Sequence, residues 1–260
     1  MHYLTTNTSL EQYVDFTSHN VRTPRSARRI SGLAVEKGMV SNGQVISRIG
    51  RRFRSSLNRD SCGSVRIGDR ALWTCRDTGR YDSGGNPVNP LWSSSAAWTN
   101  FGADGTPQLT MYSNRDETPY YTYAQDQCPG STVGDCGDGT RYALWPDSPP
   151  IIASTNANTV IGYTWVRNGH IAGLDPVQGE ENPSTTLYKL EFNTDNGDRN
   201  ALPAATRVNE NWWSINSIPF GAFGSVVKDG TTYLFGQTSD RSICLAKVPT
   251  GSIENLSEYR

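Results

Sequence analysis

The carboxylates are the chemistry-bearing side chains that this sequence sets in a pattern. Asp60-Ser61 and Asp147-Ser148 each stand just ahead of a strand-like run, and Asn216-Ser217 repeats the arrangement further on. Asp77 in TCRDT and Glu180-Glu181 in QGEENP are further acids outside the short turns. Cleavage of a glycosidic bond needs two carboxyl groups at a set separation, one to give a proton and one to act as base or nucleophile. Asp60, Asp147 and Glu181 are therefore the candidate catalytic acids. Asp60 leads because Arg59, its neighbour, can hold a carboxylate ionised. Arg59, Arg76 and Asp77 are candidate substrate contacts. Trp98, Trp212 and Trp213 are candidate platforms, since the C–H face of a sugar ring is apolar and packs on a flat aromatic. In a working pair of acids, at least one should titrate above its ordinary value. Plainer roles stand beside these. Asp77 can pair with Arg76, Glu180 and Glu181 can be solvated loop acids, and each tryptophan can fill a core.

Other chemistries are poorly served. There is no Gly-rich phosphate loop, no HExxH and no GxSxG. His170 follows what reads as a hairpin turn, with no partners for Ser-His-Asp catalysis. Cys62 and Cys75 lie symmetrically about Gly68-Asp69, at a spacing that suits a cross-strand disulfide at a non-hydrogen-bonded pair. Cys128 and Cys136 bracket CPGSTVGDC and suit a second bridge, leaving Cys244 as a buried free thiol. No paired CxxC accompanies them, so no zinc site is expected. Asp and Asn at the strand starts would allow a structural calcium, but no cofactor is required.

The elements that must position these residues are short strands. Asn168-Gly169, Asp229-Gly230, Asp104-Gly105 and Gly68-Asp69 are turn dipeptides flanked by Val, Ile, Thr, Tyr, Phe and Trp, the signature of β-hairpins. Four sets follow one another, at residues 59–82, 92–125, 146–193 and 216–249. Recurring four-stranded meanders predict an all-β fold of the β-propeller kind, with about four blades visible. A sandwich is the competing arrangement and would need long Greek-key crossings.

The 260 residues carry a net charge of −1, which gives no reason to expect nucleic acid or an anionic membrane as partner. No apolar run is long enough to span a bilayer. Residues 22–54 are basic, with Glu36 their single acid. They form the first of two expected domains, residues 1–54, in which GQVISRI could supply a closing strand; the propeller takes 55–260. That basic stretch is either an interaction arm or a disordered leader. The start of the chain lacks a secretory signal layout. The cysteines and two sequons, at Asn7 and Asn255, point instead to a secreted protein, expected as a monomer with a carbohydrate as partner.

In TCRDT, ALWPDSPP, PFGAFGSVVKDGTTYLFG and CLAKVPTGSIENLSEY, over roughly residues 55–260, the chain resembles a fungal branch of domain-of-unknown-function family 4185. That family is similar to the five-bladed propellers of glycoside hydrolases and sialidases, and some relatives are endo-acting arabinanases of glycoside hydrolase family 183. The resemblance implies a propeller with an acidic site facing its channel. It places Asp60 as the first acid, with Asp147 and Glu181 as weaker transfers. A non-catalytic glycan-binding propeller and a purely structural one are the alternative functions.

Overall fold

In a computed structural model, the described residues are 40–41, 44–45 and most of 57–260, with short gaps at 83, 85, 114–118, 131–132, 196–197, 199 and 239. Two compact units divide the chain, residues 16–55 and residues 1–15 with 56–260. In the first, β1 (Val40–Ser41) pairs with β2 (Gln44–Val45). The remainder of the basic stretch and of GQVISRI lies outside the described residues.

The second unit is all-β, and its described residues contain antiparallel sheets, two short 3-10 turns and no α-helix. Its first element is a four-stranded meander of long, bent strands. β3 (Leu57–Arg59) and β4 (Gly63–Ile67) are two halves of one strand, and β5 (Arg70–Cys75) and β6 (Thr78–Tyr81) are two halves of the next. β7 (Pro87–Trp92) and β8 (Ser95–Phe101) form the third, and β9 (Pro107–Ser113) closes the set. β3–β6–β7 and β4–β5–β8–β9 are hydrogen-bonded on either side of the bend. The two sequence sets 59–82 and 92–125 are thus one meander, so residues 57–260, as far as they are described, form three meanders in place of the four expected sets.

The second meander starts with β10 (Thr140–Trp145) and β11 (Ile151–Thr155), which both pair with the 14-residue β12 (Thr159–Ala172). β13 (Asp175–Pro176) adds to β12, and β14 (Thr185–Asn193) and β15 (Ala204–Trp213) complete the sheet. The third consists of β16 (Gly224–Lys228), β17 (Thr231–Gln237) and β18 (Ile243–Pro249).

Turn chemistry explains the hairpins. Asp229 and Gly230 both take positive φ, 50° and 72°, as the mirror-image turn between β16 and β17 requires. Gly68 at φ 62° opens the β4–β5 turn. Asn168-Gly169 is a correction: β12 runs straight through it. The Asn168 side chain is buried and saturated instead, donating to Ser184 Oγ and Glu210 O, each at 3.0 Å, and accepting from Thr186 Oγ1 at 2.9 Å. Those bonds use the polar group that a turn would have exposed.

Two cores lie between successive sheets. Leu72, Ala96 and Trp98 meet Leu144, Val166, Tyr188 and Leu190 across a layer that includes Tyr121. Tyr163, Trp165 and Leu187 meet Leu234, Ala246 and Val248 on the far side. The middle sheet is covered on both faces, which a two-layer sandwich does not allow. The outer face of the third sheet keeps Phe235, Leu245 and Ile243 exposed, at 41%, 54% and 70%.

Both expected disulfides are present, Cys62–Cys75 with Cα atoms 4.0 Å apart and Cys128–Cys136 with Cα atoms 5.2 Å apart. Cys62–Cys75 ties the two strands at the bend, where few ladder bonds hold them. Replacing both cysteines by serine should lower unfolding free energy by about 3 kcal/mol, read from urea or guanidinium melts against the oxidised parent.

Candidate active site

The strand breaks position the polar residues. β3 and β6 pair Arg59 with Thr78, and β4 and β5 pair Gly63 with Thr74. The register is unchanged across the bend, so Asp60 falls opposite Asp77 and Cys62 opposite Cys75. One backbone bond agrees, Asp60 N–H donating to Asp77 O at 3.0 Å, while Arg76 N–H donates to Asp60 O at 2.9 Å, so that Asp60 faces both Arg76 and Asp77 as in a β-bulge. Ser61 takes φ 42°, which turns the chain out of the ladder at this point. Like charges set opposite each other on paired strands are unfavourable, so a purely structural sheet gains nothing from this pair.

The two carboxylates differ in surroundings. Asp60 is exposed and receives a hydrogen bond from Ser61 Oγ at 3.2 Å. Asp77 is half-buried. It accepts from Trp145 Nε1 at 3.1 Å and from Arg141 Nη2, whose nearer approach is 3.3 Å. Arg141 and Trp145 alternate along β10 and so share one face of it. Beneath Asp77, buried hydroxyls fix the bend: Thr78 Oγ1 lies 2.7 Å from Ser95 Oγ, and Ser93 Oγ lies 2.8 Å from the Tyr123 hydroxyl.

Asp147 occupies the matching break between β10 and β11. Its side chain is only 3% exposed and lies between two guanidiniums. Arg167 donates to Oδ2 through Nε at 2.8 Å and Nη2 at 2.7 Å, and Arg76 forms the second ion pair. Arg76 also lies 5.6 Å above the Trp145 ring, and Arg167 lies 4.5 Å above Phe223. Burial pushes the Arg167 guanidinium down to about 10, still charged at neutral pH. Ser148 Oγ donates to Gly221 O at 3.2 Å, which anchors the segment. The two breaks abut: a Cβ on Gly63 would stand 2.7 Å from Pro149 Cδ. Asp60, Arg76, Asp77 and Asp147 therefore belong to one stretch of the bend, with Asp60 joined to Asp77 through the backbone. Arg59 adjoins it, opposite Thr78.

Other candidates lie elsewhere. Glu181 is exposed, and the Gly179 N–H, donating at 3.1 Å, holds its carboxyl below the ordinary value. Asp104, Asp138 and Asp240 are likewise held low by hydrogen bonds within their own turns. The upward shift expected of a catalytic acid is thus not found at Glu181. Trp98 and Trp212 are corrections as platforms. Trp98 is fully buried with Nε1 donating to Ala201 O at 2.9 Å, and Trp212 is 5% exposed. Trp213 is half-buried, with Nε1 donating to Phe220 O at 2.8 Å and its ring edge-on to Phe220 and Tyr259. All three serve packing. Trp145, Arg141 and Arg167 were missed by the sequence reading. ALWPDSPP contains Trp145 just ahead of Asp147, and that proximity was the available signal.

Among the described residues, no three His, Cys, Asp or Glu side chains gather as a metal shell. Nor does any helix there have the length and apolarity to cross a membrane. No protein-family model matches the chain, and no curated protein or solved structure matches it either.

Proposed function

We propose that this chain is a secreted carbohydrate-active β-propeller that hydrolyses glycosidic bonds with Asp60 and Asp77. The observation that carries the reading is the placement of Asp60 opposite Asp77 across a strand bend, an exposed acid set against one that Trp145 and Arg141 hold in place. Asp77, oriented by Trp145 and Arg141, is the base or nucleophile, and Asp60 supplies the proton. Arg76, held by Asp147, and Arg141 offer hydrogen bonds to sugar hydroxyls. Trp145 is the aromatic neighbour of the site. The resemblance to the arabinanase-related propellers supports the same substrate class.

The propeller rests on three successive meanders packed face to face, with the breaks in the first two touching. It gives the exposed face of Phe235, Ile243 and Leu245 a further sheet as neighbour. The two disulfides fit an oxidising compartment.

The test is a panel of polysaccharides that includes arabinans, assayed for reducing ends with the parent and with Asp77→Asn. Release by the parent that falls at least a hundredfold in Asp77→Asn is the expected result. Release untouched by that change removes Asp77 from the chemistry. Binding to a glycan without release would leave the lectin-like reading in its place.

A further inference from the structure

His170 is the one histidine among the described residues, and two loops reach it from different sides. It lies near the end of β12, opposite Tyr142 of β10. The two rings stack with centroids 4.4 Å apart and planes 3° from parallel, which fixes the plane of the imidazole. Nδ1 is 3.2 Å from Glu180 Oε2, in the loop that follows β13. Nε2 is 2.9 Å from the Thr140 hydroxyl, at the start of β10. That hydroxyl in turn donates to Asp138 Oδ1 at 2.6 Å. The Cys128–Cys136 bridge closes the loop just ahead of Asp138.

The partners settle where the protons are. Hydrogen bonds from the Thr140 hydroxyl and N–H, with a smaller part from His170, hold the Asp138 carboxyl below its ordinary value, so it accepts. Thr140 has one hydroxyl proton and gives it to Asp138, which leaves it only able to accept from Nε2. The Glu180 carboxylate can likewise only accept from Nδ1. Both contacts hold together when both ring nitrogens carry a proton, which makes the ring an imidazolium. The same count excludes a Glu180–His170–Thr140 nucleophile triad, because the Thr140 proton is not directed at the ring. Of the other charged or titratable groups around the ring, Tyr142 is pushed up by burial and by the charges of Glu180 and Asp126. Asp126 and Glu210 line the cleft that Glu180 and Tyr142 share, and Glu210 is paired with Arg207 at 3.1 Å. Asp175 on β13 and Glu181 after it are exposed. Arg141, next to Tyr142, leaves the opposite face of β10 and donates to Asp77.

We propose that protonated His170 is a pH-sensitive clasp, tying the loop after β13 to the start of β10 and releasing it when the ring loses its proton. The neutral ring has one N–H for two acceptors. If Nδ1 keeps the proton, Glu180 stays and the Thr140 contact fails. If Nε2 keeps it, Thr140 stays and Glu180 faces a lone pair. Either tautomer gives up one of the two ties, and the charge that attracts Glu180 goes with the proton. The loop has backbone anchors of its own at its ends: Val177 N–H donates to His170 O at 2.9 Å, and Asn182 O accepts from Asn216 N–H at 2.8 Å. The stretch that depends on the clasp is therefore 178–181, centred on Glu180.

The test is hydrogen exchange of the full chain, read by mass spectrometry at about pH 5.5 and about pH 8, on either side of the ordinary histidine range. Each rate is divided by its intrinsic rate at that pH. In the parent, protection of the peptide that spans residues 177–184 should fall at least about threefold at the higher pH, the scale of a partly exposed ion pair. His170→Gln should show the lower protection at both pH values. Glu180→Gln should also lose the pH dependence, since its amide can donate to a bare Nδ1. His2 and His19 are common to all three chains, so the difference between parent and variants belongs to His170. The peptide covering residues 231–249 is the control for folding and should keep its protection throughout. Parent protection that is equal at the two pH values overturns the proposal. So does a pH dependence retained in both variants, or an equal fall in the control peptide.

Discussion

Replacing Asp147 by alanine should cost about 3–5 kcal/mol of folding stability. The carboxylate is 3% exposed and is the shared counter-ion of Arg76 and Arg167. Its removal takes from two guanidiniums, both partly out of water, the carboxylate they share, and Arg167 is already pushed down by burial. The loss is the cost of unpaired charge and does not measure what the pair adds. Asp147→Ala combined with Arg167→Met should therefore recover part of it, because the second change removes one of the stranded charges. Guanidinium melts of the parent, the single variant and the double variant decide the matter. A single variant within about 1 kcal/mol of the parent would mean that Asp147 does not hold the break between β10 and β11. A double variant less stable than Asp147→Ala alone would mean that the arginine matters through packing against Phe223, 4.5 Å from its guanidinium.

How far the sequence disclosed this arrangement depends on the range of each interaction. Local turn chemistry read correctly at Asp229-Gly230 and Gly68-Asp69, where the dipeptide alone settles the sign of φ. The same rule failed at Asn168-Gly169. There the amide has partners on residues 184, 186 and 210, and no local pattern reports contacts at such separations. Strand counting failed for a related reason. Asp60-Ser61, Arg76-Asp77 and Ser93-Ser94 look like the ends of strands, but they are bends within strands that continue in register. The disulfide Cys62–Cys75 was legible because it obeys that register, and the same counting, carried two residues further, pairs Asp60 with Asp77. Asp147 was found by its likeness to Asp60, but its partners Arg76 and Arg167 come from other strands. The tryptophans misled because an aromatic's type says nothing about which side of a sheet it fills.

Asp60→Asn separates the chemistry from the scaffold. The carboxylate is exposed and accepts from the Ser61 hydroxyl at 3.2 Å, a bond that an amide oxygen can also accept. The change also removes a negative charge from the position facing Asp77, so stability should hold or rise by a few tenths of a kcal/mol, on the scale of cross-strand pairs. If Asp60 is the proton donor, sugar release should nevertheless fall by a hundredfold or more, the usual contribution of general acid catalysis. Binding of an uncleaved oligosaccharide should remain, since Arg76, Arg141 and Trp145 are untouched. A variant that is as stable as the parent, binds as the parent does and no longer cleaves is the pattern of a group kept for function at the expense of the sheet. A variant that melts several degrees lower would instead make Asp60 a structural residue of the bend. In that event the pairing with Asp77 would have to be explained by the fold alone.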